Sequence, residues 1–144
     1  MQTTVRLRQA VSAAVVLVAL GATIGVAANK YGKPKTIVHV VTLYYKDGTT
    51  EEQKKTVLEG IEKMAGEVPG IRNVWLKSVK VQGSVQIKDA EGKLVNKNIT
   101  DAFVMEFENE AAFKAYDDHP AHRAWEKVYV PLRGQSRSYD ITNQ

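Results

Sequence analysis

The sequence predicts an α+β domain of the ferredoxin-like, split βαβ kind, with its helices on one face of an antiparallel sheet. Three observations predict it. Runs of β-branched and aromatic residues with period-two alternation interleave with runs of helical spacing. Their order reads βα, then ββ with an elaborated connection, then αα and a closing β. Once an N-terminal segment is set aside, about 115 residues remain, enough for one hydrophobic core.

That segment is residues 1–28. It has no acidic residue and two basic ones, Arg6 and Arg8, ahead of an apolar run from Ala10 to Ala28 interrupted by Ser12, Thr23 and glycines. A basic start, an apolar middle and the small-residue exit Val26-Ala27-Ala28 are the order of a signal peptide, so cleavage after Ala28 and export to a periplasm or the medium are expected. The competing reading is an uncleaved membrane anchor, because the run approaches the ~20 residues of a spanning helix. Residues 29–35, with Gly32 and Pro34, read as a linker, and residues 36–144 as the folded domain.

Ile37 to Lys46, closed by Asp47-Gly48, has the composition of a first strand. Alternation sets Ile37, His39, Val41, Leu43 and Tyr45 on one face and Val38, Val40, Thr42 and Tyr44 on the other. Thr49 or Thr50 caps a helix with Glu51 and Glu52 in its first turn, and Val57, Leu58, Ile61, Met64 and Ala65 recur at helical spacing up to a stop between Gly66 and Pro69. A second strand is expected over 73–81, from Val74, Leu76, Val79 and Val81. Val85 to Lys88, the turn Asp89-Ala90-Glu91-Gly92, and Lys93 to Asn98 form a hairpin extension. Thr100 to Phe107 is an inner strand with Phe103, Met105 and Phe107 on one face and Ala102 and Val104 on the other. Asn109 caps a short helix carrying Ala112, Phe113 and Tyr116. Pro120 opens another, through Trp125 to about Val130, and Arg137 to Thr142 closes as a strand.

Removing residues 1–28 takes two of the 20 basic residues and none of the 16 acids, leaving 18 against 16 and a net charge of +2 instead of +4. Basic residues are scattered, with no aromatic-plus-basic recognition motif, so nucleic acid is not an expected partner. A membrane is a partner only if the N-terminal segment stays attached. With no cysteine, the chain has neither disulfides nor thiol catalysis. Both sheet faces carry apolar side chains, and helices cover only one. The uncovered face calls for a second copy of the same face, giving a homodimer with a shared, barrel-like interior.

The strings Phe103-Val104-Met105-Glu106-Phe107-Glu108, Tyr116-Asp117-Asp118-His119-Pro120-Ala121-His122 and Tyr139-Asp140 resemble the stress-responsive A/B barrel domain, the Dabb family. The strand bearing His39 and ending Tyr45-Lys46-Asp47-Gly48, and the Val68-Pro69-Gly70-Ile71 turn, are similar too, so the likeness runs from about Thr36 to Thr142. It implies a dimeric α+β barrel. The signal segment is foreign to the family's core domain, and Gly83 to Ile99 is longer than the family's usual link, so a hairpin over the cavity mouth would change what the cavity accepts.

The family includes plant polyketide cyclases in which a Tyr and a His drive an aldol condensation; the positions that match are Tyr116 and His122, and His39 matches a cavity-lining His. Proton removal beside a carbonyl needs a base titrating near neutrality, and a phenol can donate to the enolate oxygen. Pro120 at the first helical position puts His122 in the first turn, where the helix dipole favours a neutral imidazole. Each residue also has a plain structural reading: a buried hydrogen bond for His122 and core packing for Tyr116. His119 and Pro120 are assigned to starting the helix. His39, Tyr45, Phe103, Met105 and Trp125 are the expected ligand contacts, with packing or a dimer contact as the other role of Trp125 and the role of Trp75. No metal-ligand spacing, phosphate loop or serine nucleophile motif is present, and no cofactor is expected. The function expected is binding of a small apolar or aromatic molecule. The alternatives are a cofactor-free cyclase or lyase using the Tyr/His pair, and a small monooxygenase-like or haem-binding barrel.

Overall fold

In a computed structural model that describes residues 31–144, nine elements follow one another: β1 (Ile37–Tyr45), α1 (Glu51–Glu67), β2 (Ile71–Trp75), β3 (Ser84–Lys88), β4 (Leu94–Asn98), β5 (Asp101–Phe107), α2 (Glu110–Asp117), α3 (Pro120–Leu132) and β6 (Arg133–Ile141). The signal segment, residues 1–28, lies outside the described residues. No helix among them is long and apolar enough to cross a membrane.

Four strands form one antiparallel sheet in the order β2-β5-β1-β6, and β3 and β4 pair separately as a hairpin. This is the ferredoxin-like arrangement the element order predicts. β1 sits centrally because it is apolar on both faces. Ile37, Val41, Leu43 and Tyr45 turn towards the helices, where they join Phe103, Met105 and Phe107 of β5 and Val57, Ile61 and Met64 of α1 in the main core. α1 starts on a capping box: Thr50 accepts from the Gln53 amide, and the Gln53 side chain accepts from the Thr50 amide. Such a cap is worth about 1 kcal/mol. Gly70, at φ 87°, makes the turn into β2 in a conformation that side chains rarely adopt, and a Cβ there would stand 2.4 Å from that of Ala112.

Two boundaries differ from expectation. The second strand starts earlier and stops at Trp75, so Val79 is fully exposed rather than paired. β2 is an edge strand paired only with β5, and its pairing stops with Trp75 opposite Val104. The last strand begins at Arg133, directly after α3, because β1 supplies a pairing partner along its whole length.

The hairpin packs beside the sheet rather than over the helices. Val85 and Ile99 enclose Tyr44 in a second small core, with Val81 and Ile87 against it. The rest of the outward face, including Val38, Val40, Val104, Trp75, Tyr139 and Ile141, has no element upon it among the described residues. Trp75, Tyr139 and Ile141 are each about half exposed.

α1 and α3 approach closely at Gly60, where a Cβ would stand 2.8 Å from Trp125 Cδ1. Trp125 cannot retreat: it is buried, and its Nε1 donates to the Val57 carbonyl at 3.0 Å. Gly60→Ala would ordinarily gain ~1 kcal/mol of helix propensity. Overpacking of ~1–3 kcal/mol opposes that gain. The variant is expected to be net destabilised, read as a lower midpoint in a urea melt.

Candidate functional site

α3 sets out a row of rings by helical spacing. His122, Trp125 and Tyr129, at positions i, i+3 and i+7, share its inward face and are all buried. The Trp125 ring stacks on Tyr129 with centroids 4.6 Å apart, and His122 stacks on Trp125 at 5.8 Å. Tyr116, from the end of α2, continues the row with its centroid 4.1 Å from that of His122. His39 comes from the sheet, 6.1 Å from Tyr116 and 5.6 Å from Phe113.

These residues line one cavity of about 170 Å³ between the sheet and α2 and α3. Val41 and Phe103 floor it, and Arg133, Ser136 and Ser138 of β6 form its far side. The space equals that of roughly half a dozen waters, at about 30 Å³ each.

His122 is oriented by its own turn: Nδ1 lies 3.0 Å from the Asp117 carbonyl oxygen. A carbonyl only accepts, so Nδ1 carries hydrogen and the lone pair of the neutral ring is on Nε2. His39 is oriented by a carboxylate, with Nδ1 2.6 Å from Asp140 Oδ1 on the adjacent strand. This pairing likewise leaves Nε2 as the free nitrogen of a neutral ring. Burial, with the Asp117 and Glu126 carboxylates nearby, pushes the Tyr116 phenol well above its ordinary range, so it remains a hydrogen-bond donor at any physiological pH.

The residues singled out in the sequence are divided by the structure. Tyr116, His122, His39, Phe103 and Trp125 meet at this cavity. Tyr45 does not; together with Phe103 it lines a separate cleft beside Glu51, Lys55 and Asp101. Met105 is fully buried in the core and lines none of the cavities described, because its strand position points it into the α1 packing. His119 is the N-cap of α3, its Nδ1 accepting from the Ala121 amide at 3.2 Å, with Pro120 at the first helical position. The cavity lies inside one chain, under its helices. Sequence reasoning missed Asp140, Tyr129, Arg133, Ser136 and Ser138. Tyr129 was signalled by its spacing from His122, whereas the β6 residues needed the register against β1.

A roomier cleft, about 870 Å³, opens between the hairpin and the far end of β1 and β6. Several of its polar groups are engaged: Lys97 pairs with Asp47 at 2.6 Å, Tyr44 donates to Asp47, and Lys46 donates to the Pro131 carbonyl at 2.7 Å. It contains no histidine, and the hairpin contributes no residue to the His39–His122 cavity. Among the described residues, no group of three or more His, Asp or Glu side chains could hold a metal ion.

No curated protein matches this chain. Solved structures do. A dimeric ferredoxin-like protein from Thermobifida fusca is 23% identical over 79% of this chain and 96% of its own, with a TM-score of 0.54. A Dabb family protein with a ferredoxin-like fold from Mesorhizobium loti is 22% identical over 76% and 97%, with a TM-score of 0.53. A hydroxynitrile lyase from Passiflora edulis is 16% identical over 77% and 97%, with a TM-score of 0.50. At these identities the likeness shows the fold. The family model of the stress responsive A/B barrel domain (Dabb) matches residues 37–143, from the first residue of β1 to beyond the end of β6, and the chain belongs to that family.

Proposed function

We propose that each subunit of a homodimer binds a small carbonyl compound in the cavity of Tyr116, His122 and His39, and acts on it as a cofactor-free acid–base catalyst of the lyase or cyclase type. The observation that carries this reading is the convergence of two imidazoles and one phenol, from three elements, on a single cavity, each imidazole tied through Nδ1. The hydroxynitrile lyase of similar fold supports the lyase reading.

The roles follow from the protons. His122 Nε2 takes the proton from a carbon beside the carbonyl, and the C–H electron pair moves into an enolate whose oxygen accepts a hydrogen bond from Tyr116 Oη. His39, held by Asp140, is the second acid–base group, placed to return a proton or to steady the carbonyl. Burial of His122 and Tyr116 lessens the competition of bulk water for those hydrogen bonds.

The test is proton exchange in D₂O, followed by NMR, for acetophenone and small ketones and aldehydes of similar size. Exchange above the buffer rate is expected for at least one. A ligand that shifts the melting temperature but never exchanges would make the protein a binder of small apolar or aromatic molecules. Neither effect would remove the cavity from consideration.

The homodimer is supported by the uncovered apolar sheet face and by the dimeric ferredoxin-like relative. Export through residues 1–28 completes the proposal, supported by the signal-peptide order of that segment. The exported protein is expected to begin at Asn29, and the intact mass of secreted material checks it; a mass that retains residues 1–28 contradicts cleavage.

A further inference from the structure

Charges of both signs line the cavity. Asp117 and Glu126 stand near Tyr116 and both oppose its ionisation. Glu126 is engaged by Arg123 at 2.8 Å. Tyr129, on the same helix as Glu126, has a buried hydroxyl that makes no hydrogen bond of ordinary geometry among the described residues, with Ser136 and Arg133 the polar groups beside it. The tyrosine as a whole is only 4% exposed. A buried hydroxyl left without a partner costs about 1–3 kcal/mol, so this one is a donor available to a bound group.

The surroundings of this hydroxyl suit an anion. The Arg133 guanidinium lies over the Tyr129 ring at 5.5 Å, and among the described residues Arg133 makes no ion pair. Burial raises the Tyr129 phenol above its ordinary range and keeps it a neutral donor, while Ser136 and Arg133 beside it act the other way. All three line the cavity, with Ser138 beside them.

We infer that Tyr129, Arg133 and Ser136 form a carboxylate-binding part of the cavity, so that the substrate is a small carbonyl compound that also carries a carboxylate. This rests on the proposed function for the carbonyl alone. The acid-binding part stands on its own geometry: a donor hydroxyl, a guanidinium able to give two parallel hydrogen bonds, and a second hydroxyl. The cavity size limits the ligand to a single ring or a short chain.

Titration calorimetry with benzoate and its neutral isostere benzamide tests the assignment on the full mature chain. Neither probe has a proton that the enzyme reading would remove, so the result is independent of turnover. Benzoate is expected to bind at least about tenfold more tightly than benzamide, in keeping with a charge-assisted pair. Tyr129→Phe is expected to weaken benzoate about tenfold while leaving the melting temperature of the free protein unchanged or raised, since it deletes an unpartnered hydroxyl. Arg133→Gln is expected to abolish the preference for benzoate. Equal binding of the two probes, no binding of either, or unchanged benzoate affinity in Tyr129→Phe overturns the inference. A lower melting temperature in Tyr129→Phe would also count against it, because the hydroxyl would then have had a structural partner.

Discussion

Replacing His122 by alanine is expected to lower the exchange rate of a carbonyl substrate by about 10²–10⁴-fold, the usual worth of a positioned general base. The effect should fall on kcat and kcat/KM together, because the imidazole acts on a proton in flight and adds little to ground-state binding. Tyr116→Phe is expected to cost less, about 10²–10³-fold, as the loss of one donor to a developing oxyanion does. Tyr116 is held in the row of rings by contacts that phenylalanine keeps, so its fold is expected to survive. Asp140→Asn separates positioning from chemistry. An amide nitrogen facing His39 Nδ1 would favour the other tautomer, moving the lone pair away from Nε2, as the pairing at 2.6 Å now prevents. Its expected signature is a changed pH profile with substrate affinity little altered. If His122→Ala exchanges substrate as fast as the wild-type protein, the base lies elsewhere and the assignment fails.

The parts of this protein that were legible in the sequence are those governed by local rules. β1 announced itself by composition, and α1 by its cap and by Val57, Ile61 and Met64 at helical spacing. α3 could be started to the residue, because a proline at the first helical position sacrifices no hydrogen bond. That start gave His122 its place in the first turn, and alternation along β1 placed His39 on the same face as the core residues. What stayed hidden was relational. Alternation says that His39 and Val38 point opposite ways, but not which way the helices lie. That a cavity lies beneath α2 and α3 therefore emerged only from the packing. The partnership of His39 with Asp140 spans 101 residues and exists only once β6 is registered on β1. Met105 looked like a ligand contact for the same reason: a buried face and a cavity wall have one pattern in sequence and are separated only by packing.

Val40→Asp is expected to convert the dimer to a monomer without unfolding it. Val40 occupies the middle of the uncovered face, opposite Val104 of β5 and Tyr139 of β6 in the strand register. Around these, Trp75 and Ile141 are more than half exposed, and Val38 adds a further apolar side chain. Burying such a face gains about 25 cal/mol per Å² of apolar area, offset by the freedom lost on association. The hairpin leaves this area open, having covered only the Tyr44 end. Glu106 belongs to the polar surroundings of the face: its carboxylate accepts from Thr36 at 2.6 Å and Asn73 at 2.5 Å, which hold it below the usual carboxylate range and ionised. A new aspartate at position 40 has no such partners. In the monomer it meets solvent at modest cost. Between two copies, the twofold arrangement would bring two unpaired carboxylates together at the centre, costing several kcal/mol. With tenfold in affinity for every 1.4 kcal/mol, the dissociation constant should rise by at least about 10²-fold. Sedimentation velocity at about 10–100 μM would show the mass halved, with circular dichroism unchanged. A wild-type protein that is itself monomeric at those concentrations would mean that this face is not where two copies meet.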